Sequence, residues 1–172
     1  GRFVRLSTHS AGVVTELERL LSLVADGEAV DGLRAAALWH DVGKLHPYFQ
    51  DLLLAALDEG DPRRTEGPWA KSDRRGAAPK DAARPHFRHE LASALAALHH
   101  GAGDLAAYLA AAHHGKVRLS IRSLPDERTP ADGGRFARGV WEGDTLPATA
   151  LADGTPVPET RLSLQVMELG LS

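Results

Sequence analysis

Four short stretches of this chain carry side chains able to hold a metal ion: His9, the run His40-Asp41-Val42-Gly43-Lys44, His89, and the adjacent pair His113-His114. Neutral imidazole nitrogen and ionised carboxylate oxygen are donors for borderline and hard divalent ions, and Asp41 has two oxygens with which to bridge a pair of them. Two ions roughly 3.5–4 Å apart acidify a shared water and stabilise the charge that gathers on a phosphodiester during hydrolysis. The set therefore points to metal-assisted hydrolysis of a phosphate ester. One or two divalent ions are expected, drawn from Mn, Ni, Co or Fe, with Mg also admissible. Asp41 and Lys44 are the candidate catalytic residues; His9, His40, Asp41, His89, His113 and His114 are the candidate metal ligands. Lys44 follows Asp41 by three residues and so shares its helical face. Its ammonium either contacts a substrate phosphate or pairs with Asp41, and both roles stay open at this stage.

The other histidines read as structural. His99 and His100 close a helix before Gly101, where the helix dipole favours positive charge. His86 sits in a Pro-rich approach and reads as exposed, and His46, before Pro47, reads as lying behind the site at most.

These side chains are useful only if helices deliver them to one place, and the apolar spacing supplies the helices. Val13, Val14, Leu17, Leu20, Leu21 and Val24 form one stripe, ending near Gly27. Leu33, Ala36, Ala37, His40, Asp41 and Lys44 form a second, which predicts that the His-Asp pair sits on the last turns of a helix ending at Gly43-Lys44. Pro47 suits the first turn of a third helix, with Phe49, Leu52, Leu53, Ala56 and Leu57 facing inward. The pattern resumes over His89 to His100, and again from Asp104, as N-cap, to His113-His114-Gly115.

Between these lies 60–85, rich in Gly, Pro, Arg and Asp, which predicts a long mobile loop. It is locally basic: Arg63, Arg64, Lys71, Arg74, Arg75, Lys80 and Arg84 outnumber Asp61, Glu66, Asp73 and Asp81. Charge runs are commonly no more than solvated loops; the functional alternative is an arm that guides a nucleic-acid strand through phosphate contacts. Residues 117–172 predict an irregular extension, with the alternating run Val117-Arg118-Leu119-Ser120-Ile121 and a small β-hairpin near Val140 to Leu146 and Arg161 to Val166. The fold class expected is all-α, a helical bundle with a basic loop and an irregular C-terminal extension.

Composition narrows the function further. A chain of 172 residues suits one core. The net charge of −3 makes any nucleic-acid contact a matter of a local patch or of bound cations. With no Cys, thiolate nucleophiles, disulfides and Cys-ligated zinc are excluded, which fits a cytoplasmic location. No run approaches the roughly 20 apolar residues of a membrane span. The chain begins at Gly1 and stops within the apolar stretch Leu162 to Leu171, so it is expected to be part of a longer protein.

The order Thr8-His9-Ser10, His40-Asp41-Val42-Gly43-Lys44, Arg88-His89-Glu90 and Ala112-His113-His114-Gly115 resembles the HD superfamily of metal-dependent phosphohydrolases. More narrowly, it resembles the HD nuclease domain of the CRISPR type I helicase–nuclease effector, over roughly residues 3 to 125. The tail Lys116 to Pro125 is similar to a subtype in which this domain follows the helicase on one polypeptide. The resemblance implies an HD helical bundle in which residues matching His9, His40 and Asp41 hold one metal, and Asp41, His89, His113 and His114 hold a second. It places Lys44 near the scissile phosphate. The implied substrate is single-stranded DNA, and the implied partners are a helicase domain on the same full-length chain and the CRISPR surveillance complex. The family completes its first metal site with an Asp from a late helix, where this chain offers Asp126, Asp132, Asp144 and Asp153, all in irregular sequence. The expectation is that the required helix lies beyond Ser172. Two other functions fit the same residues: hydrolysis of nucleotides or cyclic nucleotides, and a catalytically weak docking module.

Overall fold

A computed structural model describes residues 2–23, 27–72, 83–115 and 121–170. Val24, the basic-loop residues Asp73, Arg74, Arg75, Lys80 and Asp81, and the run 116–120 lie outside the described residues.

Helices dominate. In chain order they are α1 (Leu6–Leu21), α2 (Glu28–Trp39), α3 (Pro47–Leu54), the single turn α4 (Arg63–Glu66), α5 (His89–His99) and α6 (Asp104–Ala112). The strands are β1 (Val4–Arg5), β2 (Trp69–Lys71), β3 (Phe136–Ala137), β4 (Val140–Trp141), β5 (Thr145–Leu146), β6 (Thr149–Ala150), β7 (Pro156–Val157) and β8 (Thr160–Arg161). They form four antiparallel pairs, β1–β2, β3–β4, β5–β8 and β6–β7. The expectation of an all-α chain is corrected to that extent. The single hairpin expected in the extension is three strand pairs, one of which, β5–β8, joins the two stretches singled out from the sequence.

α5 organises the bundle. Every residue from Glu90 to Ala97 is buried, so this helix is enclosed on all sides rather than along the one stripe its leucines suggest. Ala92, Ala96, Ala97 and Ser93 have no exposed surface, and such small side chains let α6, α2 and the turn after α2 approach its backbone closely. Gly43 shows how closely: a Cβ there would lie 2.0 Å from the His89 carbonyl oxygen. Its N–H donates to Ser93 Oγ at 2.8 Å.

Four helix boundaries differ from expectation. α1 ends at Leu21, with Ser22 as C-cap, and not near Gly27. α2 ends at Trp39, and a 3₁₀ turn, Val42–Leu45, follows, because Asp41 leaves helical geometry at φ −114°, ψ 5°. α3 stops at Leu54, leaving Ala56 exposed. α6 is capped by Gly103, with Asp104 as its first helical residue.

Within 60–85, the stretch 60–72 is more ordered than its composition suggests, since it contains α4 and β2, with Trp69 and Ala70 buried. Gln50 explains the placement of β2. Its amide donates to the carbonyls of Lys44 (2.6 Å) and Trp69 (2.9 Å) and accepts from the Trp69 N–H (2.8 Å).

The extension belongs to the core. Val140, Leu146, Leu162 and Leu164 are essentially inaccessible and join one apolar cluster with Leu6, Trp39 and the α5 residues. Its β3–β4 hairpin turns through Arg138 (φ 52°) and Gly139 (φ 73°), the paired positive values of a two-residue hairpin loop. A Cβ on Gly139 would also meet the backbone of Phe87 at 2.6 Å, so only glycine fits.

Candidate metal centre

The site forms where three helix ends and one helix face meet. α1 contributes His9 from its first turns. α2 ends on His40, its C-cap residue, and releases Asp41 into the space beyond. α5 begins at His89, and α6 ends on His113 as C-cap with His114 following. A residue at a helix end escapes the fixed angle of about 100° between neighbours within a helix, which lets adjacent pairs such as His40-Asp41 face a common centre.

Asp41 is that centre, with 1 % of its side chain exposed. Oδ2 lies 3.1 Å from His9 Nε2, 3.3 Å from His40 Nε2 and 2.6 Å from Lys44 Nζ. Oδ1 lies 3.2 Å from His89 Nε2 and 3.6 Å from His113 Nε2. His114 Nε2 is 3.2 Å from His89 Nε2. All six metal-binding candidates from the sequence are thus gathered, and Lys44 with them. Of the two roles left open for Lys44, the structure shows the ion pair with Asp41.

Ring orientation is set from behind. The carbonyls of Ala37 and Ala110 can only accept, so His40 Nδ1 (2.8 Å) and His113 Nδ1 (2.7 Å) donate to them and each Nε2 faces the centre, where it can bind an ion once its own proton is absent. Glu90 Oε2 stands 3.6 Å behind His89 Nδ1 and is itself held by Arg88. Sequence reading passed over Glu90 even though it adjoins His89; its signal was a carboxylate beside an imidazole on a helix start that is otherwise apolar.

The electrostatics favour neutral His9, His113 and His114 rings near one anion. Burial pushes the His9, His113 and His114 imidazoles below their ordinary value, and neighbouring cationic groups reinforce this. Burial alone would raise Asp41, but its contacts with His40 and His89 and the charge of Lys44 outweigh that effect and hold it well below the usual carboxylate range.

The remaining candidates lie elsewhere. Asp126 pairs with exposed His86 (2.7 Å), Asp132 accepts from Gly134 N–H, and Asp153 accepts from Thr155 N–H. Asp144 is buried against His46 Nε2 (3.1 Å), Arg84 and the Trp141 N–H (2.8 Å). None joins the metal-binding groups, so among the described residues Asp41 is the carboxylate of this centre. His46 is a structural link and the N-cap of α3, where its Nδ1 accepts from Tyr48 N–H. His100 stacks on Trp39 and contacts Thr160 Oγ1 at 2.7 Å. Burial lowers its pKa, so its place is set by packing and not by the dipole-favoured charge expected of it.

The family model for the HD domain of Cas3 matches residues 4–154. The chain belongs to that family. Neither a curated protein nor a solved structure matches it. As a Cas3 HD domain it is a hydrolase of the HD phosphohydrolase type, a metal-dependent nuclease of CRISPR systems.

Its residues fit the divalent ions that HD domains bind. Their donor atoms form two groups, His9-His40-Asp41 and His89-His113-His114, within each of which the atoms lie no more than 4.8 Å apart. Asp41 Oδ1 is buried and makes no hydrogen bond. An acceptor and several imidazole nitrogens facing one another with too few protons between them are costly to bury, and a cation among them satisfies all of them together.

Proposed function

We propose that the chain hydrolyses phosphodiester bonds of single-stranded DNA during CRISPR type I interference, in the cytoplasm. A helicase domain on the same full-length protein would supply the strand and the surveillance complex would expose it. The observation that carries this reading is the convergence of four imidazoles, with His114 beside His89, on one buried carboxylate whose Oδ1 lacks a hydrogen bond, in a chain of the Cas3 HD family.

In the proposed HD arrangement His9, His40 and Asp41 would hold one ion, and Asp41, His89, His113 and His114 would hold a second. Bound there, divalent ions supply Lewis acidity toward the phosphate and an acidified water. The protein supplies the geometry. The Ala37 and Ala110 carbonyls fix two tautomers, Glu90 backs a third ring, and Lys44 steadies the Asp41 carboxylate as a positioning residue. Depressed imidazole pKa values keep the His9, His113 and His114 lone pairs free of protons at neutral pH.

The test is incubation with circular single-stranded DNA and Mn²⁺, Ni²⁺, Co²⁺ or Mg²⁺, beside EDTA and Asp41→Ala controls. Nicking of the circle by the wild type and by neither control is the expected result, and it requires endonuclease action. Equal behaviour of wild type and Asp41→Ala would remove the nuclease reading. Preferential release of phosphate from mononucleotides would move the site to nucleotide hydrolysis.

A further inference from the structure

The basic segment 60–85 is not a uniform cationic arm. Arg63 is bound to Asp61 and lies over the Phe3 ring. Arg64 donates to the carbonyls of Leu57 and Asp58 at 2.6 and 2.9 Å. Arg84 is bound to Asp144 and lies over Trp141 at 3.9 Å. Those three guanidiniums serve the fold. Lys71 differs: it is exposed, and among the described residues no carboxylate pairs with it.

Its position is defined from two sides. Lys71 is opposite Val4 in the β1–β2 pair, and β1 runs directly into α1, which carries His9. Two residues earlier, Gln50 ties Trp69 to the Lys44 carbonyl, so β2 is anchored to the turn that follows Asp41. His9 is the more exposed imidazole of its donor group, 23 % against 11 % for His40, so it borders solvent on the β1–β2 side of the centre, as His113 and His114 do on the α6 side.

We propose that Lys71 is the phosphate anchor of the site: an exposed cation on a short strand paired with the segment that runs into α1 and His9, where it holds the backbone of the substrate strand as it enters. This rests on the nuclease reading above. Bound ions would meet the phosphate at the reacting bond, whereas the rest of the strand needs a cation outside the centre, and Lys44 cannot be that cation because it is buried on Asp41. An anchor on β2 positions the strand without reading its sequence.

The test is binding of a fluorescein-labelled single-stranded oligodeoxynucleotide by anisotropy, in EDTA so that no strand is cut, across a KCl series. Each phosphate contact on a single strand contributes about 0.7 to the slope of log affinity against log salt. Lys71→Gln is expected to raise Kd about threefold to tenfold at low salt and to reduce the slope by about 0.7. Lys71→Arg should restore both, Mn²⁺ binding by calorimetry should be unchanged, and Arg64→Gln should leave the slope intact. An unchanged slope in Lys71→Gln, an equal loss in Arg64→Gln, or no salt-dependent binding by the wild type would each overturn the anchor. Nicking of circular DNA by the wild type in Mn²⁺ judges the nuclease reading separately. A chain that binds through Lys71 but never nicks keeps the anchor and loses the nuclease.

Discussion

Asp41 holds a full negative charge with almost none of its surface in water, and Lys44, also buried, is the Lys or Arg paired with it among the described residues. Removing one partner of such a pair leaves the other buried and uncompensated, at a cost of about 3–5 kcal/mol. Lys44→Met should therefore lower stability by about 3 kcal/mol in EDTA. Much of that loss should return on adding Mn²⁺, since the ion replaces the missing positive charge and binds only the folded site. Denaturant melts with and without Mn²⁺ measure this, and an equal loss in both conditions would mean that no ion reaches Asp41. The imidazoles call for a different outcome. His89 and His113 are partly exposed and point into the centre, so His89→Ala or His113→Ala should weaken Mn²⁺ binding by at least about tenfold while the helical circular dichroism is retained. Collapse of the helical signal would make these residues packing groups and not ligands.

At the scale of elements, the site depends on how closely the turn after α2 approaches the start of α5. Gly43 sits at that approach, with the His89 carbonyl and Ser93 N–H in the space a side chain would need. Gly43→Ala must push the turn away, carrying Asp41 from His89; overpacking of this kind costs about 1–3 kcal/mol. A lowered denaturation midpoint together with weaker Mn²⁺ binding is expected, and a variant that binds the ion as well as the wild type would show that the contact is not needed to align the ligands. Much of this arrangement was legible because helix ends announce themselves: His89 and His113 sit at a first turn and a cap that apolar spacing and glycines mark out. The exit of Asp41 from the helix was not, since nothing in the run His40 to Lys44 breaks helical spacing; the turn is imposed by packing against α5. Nor was β2, because a three-residue strand has no measurable period and Trp69 owes its burial to Gln50, nineteen residues away. The same holds for Gly139, whose need for glycine comes partly from Phe87.

Across the whole molecule, the extension and the metal-binding bundle are joined through Asp144. Its carboxylate meets His46 from the end of the 3₁₀ turn, Arg84 from the approach to α5 and the Trp141 backbone within the extension, so three separate parts of the chain close on one buried group. Burial opposes its ionisation, but His46, Arg84 and the Trp141 N–H outweigh it and hold the pKa at about 2, against an ordinary 3.8. A carboxylate depressed on folding stabilises the protein above its unfolded pKa, and that contribution fades as pH falls from about 4 toward 2. The difference of nearly two pKa units corresponds to about 2–3 kcal/mol at neutral pH. Asp144→Asn should remove it: the variant should be less stable than the wild type at pH 7, and the gap should close as pH drops through that window. Urea melts at intervals from pH 7 to pH 2 measure the gap directly. A constant difference across the whole range would mean that the ionised carboxylate does not hold the extension to the bundle, and that the junction rests on the apolar contacts of Val140, Leu146, Leu162 and Leu164 alone.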